Sequence, residues 1–544
     1  MIVLGIHGGV TIGQHDPGAC VVVDGRVAAL CEEERYLRVK EAYGFLPYHS
    51  IRAALAIAGV KWGDIDLVVS PGATYGDFEA RLRDFLRHSF GSCPRILRVH
   101  HQKAHLATAF YGSGFEDSVV LSLDATGDGC AGFTGTASKA RGITVEREIA
   151  NTNSLGFFYT MMTHYLGFAD GDEYKVMGLA AYGRPSIDLS PIIRPTPDGY
   201  RFDSGFQRQD PPPRSRQEPA YGAKLVELLG QPNRVPSAPV TDFHRDLARS
   251  TQGAFEDALI GLLRAIAPAA KDGRKPNLCY AGGVALNCSA NGKIFETGLF
   301  DQVHVSPVAA DRGLALGCAY LGAVELGDTP QPIAHAYLGS AYGDDAIRAE
   351  LSGNGCRFVE LADPAGTAAE LIARGRIVGW HQGRSEAGAR ALGNRSILAS
   401  AESAAMRDKV NARIKYREEF RPFAPSVLLE EGAACFETGG LPSPYMCFTF
   451  PATAERAPRM GAVVHNDGTA RIQTVSAAEN PLYHELISAY RKHSGMPVVL
   501  NTSFNLKGQP IVETPRDALM TFFGCGLDAL ILGHFLVEKP DAVG

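Results

Sequence analysis

Residues 118–129 read SVVLSLDATGDG, an apolar strand that stops at a carboxylate and a glycine loop. CAGFTGTASKARGITVERE (130–148) continues it as a hairpin-like pair. The same order of events opens the chain: IVLGIHGG (2–9), a turn carrying HDPGA (15–19), then CVVVDGRVAAL (20–30), which reads as a hairpin around Asp24-Gly25. Helical patterns come after each, SIRAALAIAGV (50–60) and FFYTMMTHYLGF (157–168). Two units of one design predict a duplicated α/β domain with a nucleotide cleft between its halves. A single ordinary α/β sheet is the plainer reading of the same pattern.

Outward from this core the rhythm breaks at 204–240, where DPPPRSRQEP and QPNRVPSAP read as a surface excursion partly ordered around AKLVELL. TDFHRDLARSTQGAFEDALIGLLRAIA (241–267) predicts a long amphipathic helix. LCYAGGVALNCSANGKI (278–294) and DQVHVSPVAADRGLALGCAY (301–320) each run strand, turn, helix start. Proline and glycine then cluster over 327–345, the expected joint to a second domain.

The length of 544 residues calls for two domains, and 45% hydrophobic with 21% charged residues suits a globular enzyme. A net charge of −6 without blocks of like charge argues against a nucleic-acid surface. No apolar run reaches membrane-spanning length, and MIVLGIHGG lacks the basic region of a signal peptide. The 11 cysteines are scattered without CxxC pairs, which favours free thiols in a reducing cytoplasm.

His101 and His105, in HHQKAH, stand four apart, so on a helix both imidazoles face one side, as two ligands of one metal must. His100 points about 100° away. Asp124 at the strand mouth and Asp311 in VAADRG offer carboxylates, although each also suits a helix cap or turn. Such a set takes Fe(II), Zn(II) or Mn(II). The glycine loops DATGDG, with Thr126 and Gly127, and AGGVALN, with Gly282, Gly283 and Asn287, either bring N–H groups to a nucleotide phosphate or serve as tight turns. His15 either accepts a proton from an alcohol or caps a turn.

The C-terminal half clusters cations beside polar segments: GRSEAGARALGNRS, NARIKYREEFRPFAP, HNDGTARIQTV and LNTSFNLKG. Arg384, Arg390, Arg395, Lys415, Arg417, Arg421 and Arg471 can converge on a phosphate. The Lys415/Arg417 and Ser503/Asn505 pairs are each two apart, so on strands each pair shares a face and together they form an anion and amide cradle. A solvated strand is the bland alternative.

Across essentially the whole chain, HDPGA, HQKAH, LDATGDG, GDEYKVMGLAAYG, GGVALNC, GRSEAGARALGNRSILA, REEFRPFAP, DGTARIQTV and LNTSFNLKG resemble the nodulation-protein-U and antibiotic O-carbamoyltransferases. The resemblance implies an α/β protein with a duplicated ASKHA (actin-like ATPase) domain over 1–340 and a YrdC-like α/β domain over 341–544. It implies two steps. Carbamoyl phosphate and ATP, with Mg(II) able to accompany the nucleotide, give carbamoyladenylate in the second domain. A hydroxyl of a small-molecule acceptor then attacks that intermediate in the first. Carried over by motif, the metal ligands are His101, His105, Asp124 and Asp311, with iron the expected ion. His15 is the base. Lys415, Arg417, Ser503 and Asn505 are the KxR and SxN pairs of the adenylating site. Arg390 and Arg421 hold carbamoyl phosphate, and Arg471 joins them.

Two departures stand out. The family's EFGPRALG is EAGARALG here, and HHLAH is HQKAH, with Lys103 expected to reach solvent. A tRNA threonylcarbamoyl-type transferase shares both domain types but calls for a basic stripe that this chain lacks. A hydrogenase-maturation enzyme would carry an acylphosphatase domain and CxxC fingers. A non-enzymatic ASKHA nucleotide sensor would have no need of the metal ligands and anion pocket. The expected partners are therefore the small-molecule acceptor alone, without nucleic acid or membrane, in a cytoplasmic protein compatible with a homodimer.

Overall fold

The computed structural model of the chain describes residues 1–11, 13–208, 218–269 and 273–539. The duplication is present in the strand order. The first sheet holds β1 (Ile2–His7), β2 (Gly18–Val23), β3 (Arg26–Glu32), β4 (Leu67–Pro71) and β5 (Arg95–Val99), ordered β3-β2-β1-β4-β5. The second holds β6 (Asp117–Gly127), β7 (Cys130–Ser138), β8 (Gly142–Ala150), β9 (Leu278–Ala281) and β10 (Val303–Val305), ordered β8-β7-β6-β9-β10. In each, two hairpins are followed by a crossover to a parallel neighbour of the first strand, β1 with β4 and β6 with β9. The turn between β2 and β3 has Asp24 and Gly25 both at positive φ, 47° and 77°, which suits the two-residue hairpin expected there.

Helices form where the spacing predicts them. The crossover of the first sheet contains α1 (Tyr48–Ala58). Helix α2 (His101–Ser113) precedes the second sheet, and that sheet's crossover contains α3 (Leu155–Tyr165) and the long α4 (Asp242–Ile266). Helix α5 (Leu314–Glu325) lies against β1 so closely that a Cβ on Gly5 would fall 2.0 Å from the Ala315 carbonyl oxygen. Within the 204–240 excursion, AKLVELL forms a helix at Ala223–Leu229, and 209–217 lie outside the described residues. No described helix is long and apolar enough to cross a membrane. All eleven cysteines are free, and Cys20, Cys31, Cys279 and Cys318 are buried in the core.

The chain folds as two compact units. One holds 1–70, 76–98 and the chain from 311 onward; the other holds 71–75 and 99–310. The boundary expected at 340 falls inside the first unit, in which the N-terminal sheet packs with the C-terminal region. The Leu30 N–H donates to the Leu338 carbonyl, for example.

The C-terminal region is α/β, as expected. Its eight-stranded sheet comprises β11 (Phe358–Glu360), β12 (Val378–His381), β13 (Arg395–Ser400), β14 (Ala424–Leu428), β15 (Gln473–Val475), β16 (Val498–Ser503), β17 (Ala529–Leu532) and β18 (Phe535–Val537), in the order β11-β18-β17-β12-β13-β16-β14-β15. Its helices α6 (Pro364–Ala373), α7 (Pro481–Ser494) and α8 (Pro515–Phe523) share one start signal. Asp363, Asn480 and Thr514 each cap the first turn with a side-chain oxygen, and proline follows at the first helical position, where its missing N–H has no partner to lose.

Candidate active site

In the second unit, the helical period of HQKAH and the end of β6 bring three ligand-type side chains together. His105 Nε2 lies 3.0 Å from His101 Nε2 and 3.0 Å from Asp124 Oδ2; His101 Nε2 is 3.4 Å from that oxygen. His105 is fully buried and His101 is 8% exposed, so both rings are fixed by packing. Asp124 sits where β6 stops pairing with β7, the ladder breaking between Leu123 and Gly127. Two imidazole nitrogens about 2.1 Å from one ion lie about 3.0 Å apart at a right angle, so this donor set fits a divalent metal.

His100 is not part of the set. It caps α2, its Nδ1 accepting the Gln102 N–H, and its ring stacks on Phe133 at 4.6 Å. Lys103 is exposed, as expected.

The glycines around this cluster have packing reasons. A Cβ on Gly127 would fall 2.2 Å from the His101 ring, and one on Gly282 would fall 2.0 Å from the Leu123 carbonyl oxygen. Asn287 caps the helix Cys288–Thr297 through the Ala290 N–H, and its amide also donates to Gln252. Thr126 is exposed on the strand end.

The sequence reading missed Asp128. Its carboxylate accepts the N–H groups of Gly72, Ala73 and His101 and the Thr74 hydroxyl. It thereby anchors the first turn of α2, where a negative charge meets the helix N-terminus. The available signal was the Asp-Gly pair of the hairpin turn, since Asp128 and Gly129 both have positive φ.

Asp311 begins a 3-10 turn at the first residue of the chain's return to the first unit. Two residues earlier, the Ala309 carbonyl accepts the Gly282 N–H. Within the first unit Asp311 Oδ2 lies 3.7 Å from His7 Nε2 and 3.8 Å from His15 Nε2. His15 Nδ1 is 3.0 Å from Asp16 Oδ2. Burial pushes the Asp16 carboxyl up, but Arg312 and His15 outweigh it and hold the group below the usual carboxylate range. An ionised Asp16 on Nδ1 leaves Nε2 as the proton-accepting nitrogen of His15.

The cationic cluster of the first unit, expected to cradle an anion, is centred on Lys415. Its Nζ donates to the Ser503 carbonyl at 2.6 Å, the Asn505 carbonyl at 3.0 Å and Asn505 Oδ1 at 2.7 Å, with Ser503 Oγ at 3.2 Å. Arg417 donates to the Thr502 hydroxyl at 3.0 Å and stacks over Phe423, and Arg421 pairs with Glu418 at 3.5 Å. Burial, then Arg417 and Arg421, push the Lys415 ammonium well below the ordinary lysine range.

The strand expected at Lys415–Arg417 is not there. Lys415 ends a π-helical turn, Asn411–Lys415, and Tyr416 at φ 47° is left-handed, so the two cations reach the cradle from a bend. Ser503 ends β16 and Asn505 lies just beyond it, as expected.

Nor do all the arginines converge. Arg384 donates to the carbonyls of Ala28, Leu338 and Gly339, and the buried Arg395 to those of Gln382, Ser340 and Glu513 among others; both hold backbone. The chain next to Arg390, and the chain two residues past Arg471, are tied to β16 through Asn501. Asn501, a second residue the sequence reading missed, donates to the Ala391 carbonyl and to Gln473 Oε1.

Comparison with known proteins covers most of the chain. Residues 72–320 match the family model for the carbamoyltransferase N-terminus and 369–539 that for the carbamoyltransferase C-terminus. The chain belongs to the carbamoyltransferase family. Nodulation protein NolNO of Sinorhizobium fredii is 38% identical over 100% of this chain and 83% of its own length. Nodulation protein NolO of Bradyrhizobium diazoefficiens is 40% identical over 82% of this chain and 79% of its own. Among solved structures, HypF of T. kodakarensis matches 60% of this chain and 49% of its own at 14% identity, with a TM-score of 0.34.

Proposed function

We propose that this carbamoyltransferase is ATP-dependent and carbamoylates a hydroxyl of a small molecule such as a sugar or natural product. The observation that supports this most is the buried Lys415 held by Ser503 and Asn505 and flanked by Arg417 and Arg421, a cationic site with amide partners suited to carbamoyl phosphate and ATP. In this YrdC-like region the carbamoyl–phosphate bond is cleaved by water, releasing inorganic phosphate. The carbamate oxygen then attacks the α-phosphorus of ATP, and pyrophosphate leaves. Lys415 and Arg417 hold the phosphoryl oxygens as charge develops on them. Arg390, Arg421 and Arg471 orient carbamoyl phosphate.

In the second step the acceptor hydroxyl oxygen attacks the carbamoyladenylate carbonyl carbon and His15 Nε2 takes its proton. The bond to the adenylate oxygen breaks, AMP leaves and a carbamate ester remains. His101, His105 and Asp124, with Asp311 as the fourth ligand, would hold a divalent ion, proposed as Fe(II). Bound there, it would supply Lewis-acid stabilisation of developing negative charge. Thr126, Gly127, Gly282, Gly283 and Asn287 are the proposed nucleotide contacts of this domain.

The test is AMP and pyrophosphate release from ATP and carbamoyl phosphate, with and without candidate alcohols. Lys415→Ala abolishes the first step. His101→Ala retains it and blocks carbamoyl transfer. Equal loss of the first step in both variants would refute the division of labour, and no AMP from metal-loaded wild type under any condition would refute the reaction.

A further inference from the structure

The segment EEERYLR, residues 32–38, has no role in the chemistry above, yet its charges are taken out of water. Glu32, Glu33, Glu34 and Arg35 are 4%, 0%, 3% and 3% exposed, in a run from the end of β3 into the short helix Glu33–Leu37. Four consecutive buried charges are too costly to be a by-product of folding a surface.

Glu33 serves the start of α1, accepting the N–H groups of His49 and Ser50, whereas Glu32, Arg35 and Arg38 reach the loops beside the Lys415 cluster. Arg35 Nη2 donates to the Gly388 carbonyl at 2.8 Å and to that of Glu386 at 3.4 Å, while the Gly388 N–H donates to Glu32. Gly388 is thus held on both sides, two residues before Arg390. Arg38 donates to the Ile511 carbonyl at 2.6 Å and the Pro510 carbonyl at 3.0 Å. Those two end a loop that starts at Ser503–Asn505. It is closed by Asn505 Nδ2 on the Gln509 carbonyl at 2.6 Å and the Val512 N–H on the Phe504 carbonyl at 2.9 Å. On its other side the segment meets Arg312, 2.9 Å from Glu34 and 3.5 Å from Glu32, whose guanidinium also pairs with Asp16 at 3.0 Å, beside His15.

We propose that residues 32–38 are a strut that sets the geometry of the anion cradle, with Arg35 and Arg38 as positioning residues for the Arg390 loop and the Ser503–Asn505 loop. This rests on the reading of Arg390 as a carbamoyl-phosphate ligand. A guanidinium fork fixes two carbonyls at once, and displacements below an ångström matter to a bound anion, so the strut acts on substrate affinity without touching substrate.

Steady-state AMP release by the full-length, metal-loaded protein tests it. Arg35→Lys raises KM for carbamoyl phosphate about tenfold and leaves KM for ATP within about twofold. In the Arg390→Ala background the same change adds nothing further, because its effect is exerted through Arg390. Equal rises in both KM values, or full additivity with Arg390→Ala, would show a structural role only and overturn the proposal. Should Arg35→Lys not fold, Glu32→Gln against Glu32→Ala asks the same of Gly388. Gln still accepts its N–H and keeps KM within about threefold, whereas Ala raises it about tenfold. Equal KM values for the two overturn the strut. A wild type that makes no AMP instead removes the proposed reaction, an outcome separate from failure of the strut.

Discussion

The two clusters achieve opposite tasks with opposite materials. The His101–His105–Asp124 group gathers side chains that bind a cation, and it is fixed by a helix start and a strand end in one unit. The Lys415 group gathers cations, and it is fixed by backbone and side-chain oxygens of Ser503 and Asn505, at and just beyond the end of β16, in the other. A metal site can be built on the period of a helix, whereas an anion site needs several loops brought to register. The first takes its geometry from one helix and one strand end, with Asp128 as its long-range tie, and the second from segments far apart in sequence.

Four experiments can break that contrast. Asp124→Asn is expected to lower metal affinity by about 100-fold or more while AMP formation continues, as read by metal analysis and pyrophosphate release. His15→Gln is expected to slow carbamoyl transfer by about 10²–10³-fold, with metal content unchanged. Asp128→Ala removes the carboxylate that accepts four donors at the start of α2 and is expected to cost about 2–4 kcal/mol of stability, seen in denaturant titration. The smallest effect concerns Lys415. Its folded pKa is depressed and a phosphate dianion raises it, so binding carbamoyl phosphate takes up a proton. Affinity should therefore strengthen, by up to about tenfold per pH unit, as pH falls from the bound-state towards the free-state pKa of Lys415. Calorimetry in buffers of different ionisation enthalpy measures the uptake, and its absence would mean that Lys415 is already charged when free.

What was legible in the sequence follows the same division. His101 and His105 could be paired because a helix converts a spacing of four into one face. The repeated strand order was legible because both halves open with a strand, a glycine loop and a hairpin. The KxR pair misled because its strand assumption failed: a π-turn and a left-handed Tyr416 deliver Lys415 and Arg417 instead. Arg384 and Arg395 looked like phosphate ligands because a sequence does not display the carbonyls that claim them. Asp128 looked like a turn residue, which it is, and its second task depends on Gly72–Thr74, far away in sequence.

The first unit is sewn from two distant pieces of chain, with residues 99–310 between them. On a ribosome adding about 5–20 residues per second, the N-terminal sheet emerges well before the carbonyls that satisfy Arg35 and Arg38 exist. For tens of seconds, on the order of that rate, those arginines must remain hydrated rather than buried. The intervening unit, contiguous from residue 99, has no such wait. The nascent chain thus completes the scaffold of the His101–His105–Asp124 cluster first and closes the Lys415 cluster last, so a stalled or truncated product would hold the first cluster without the second.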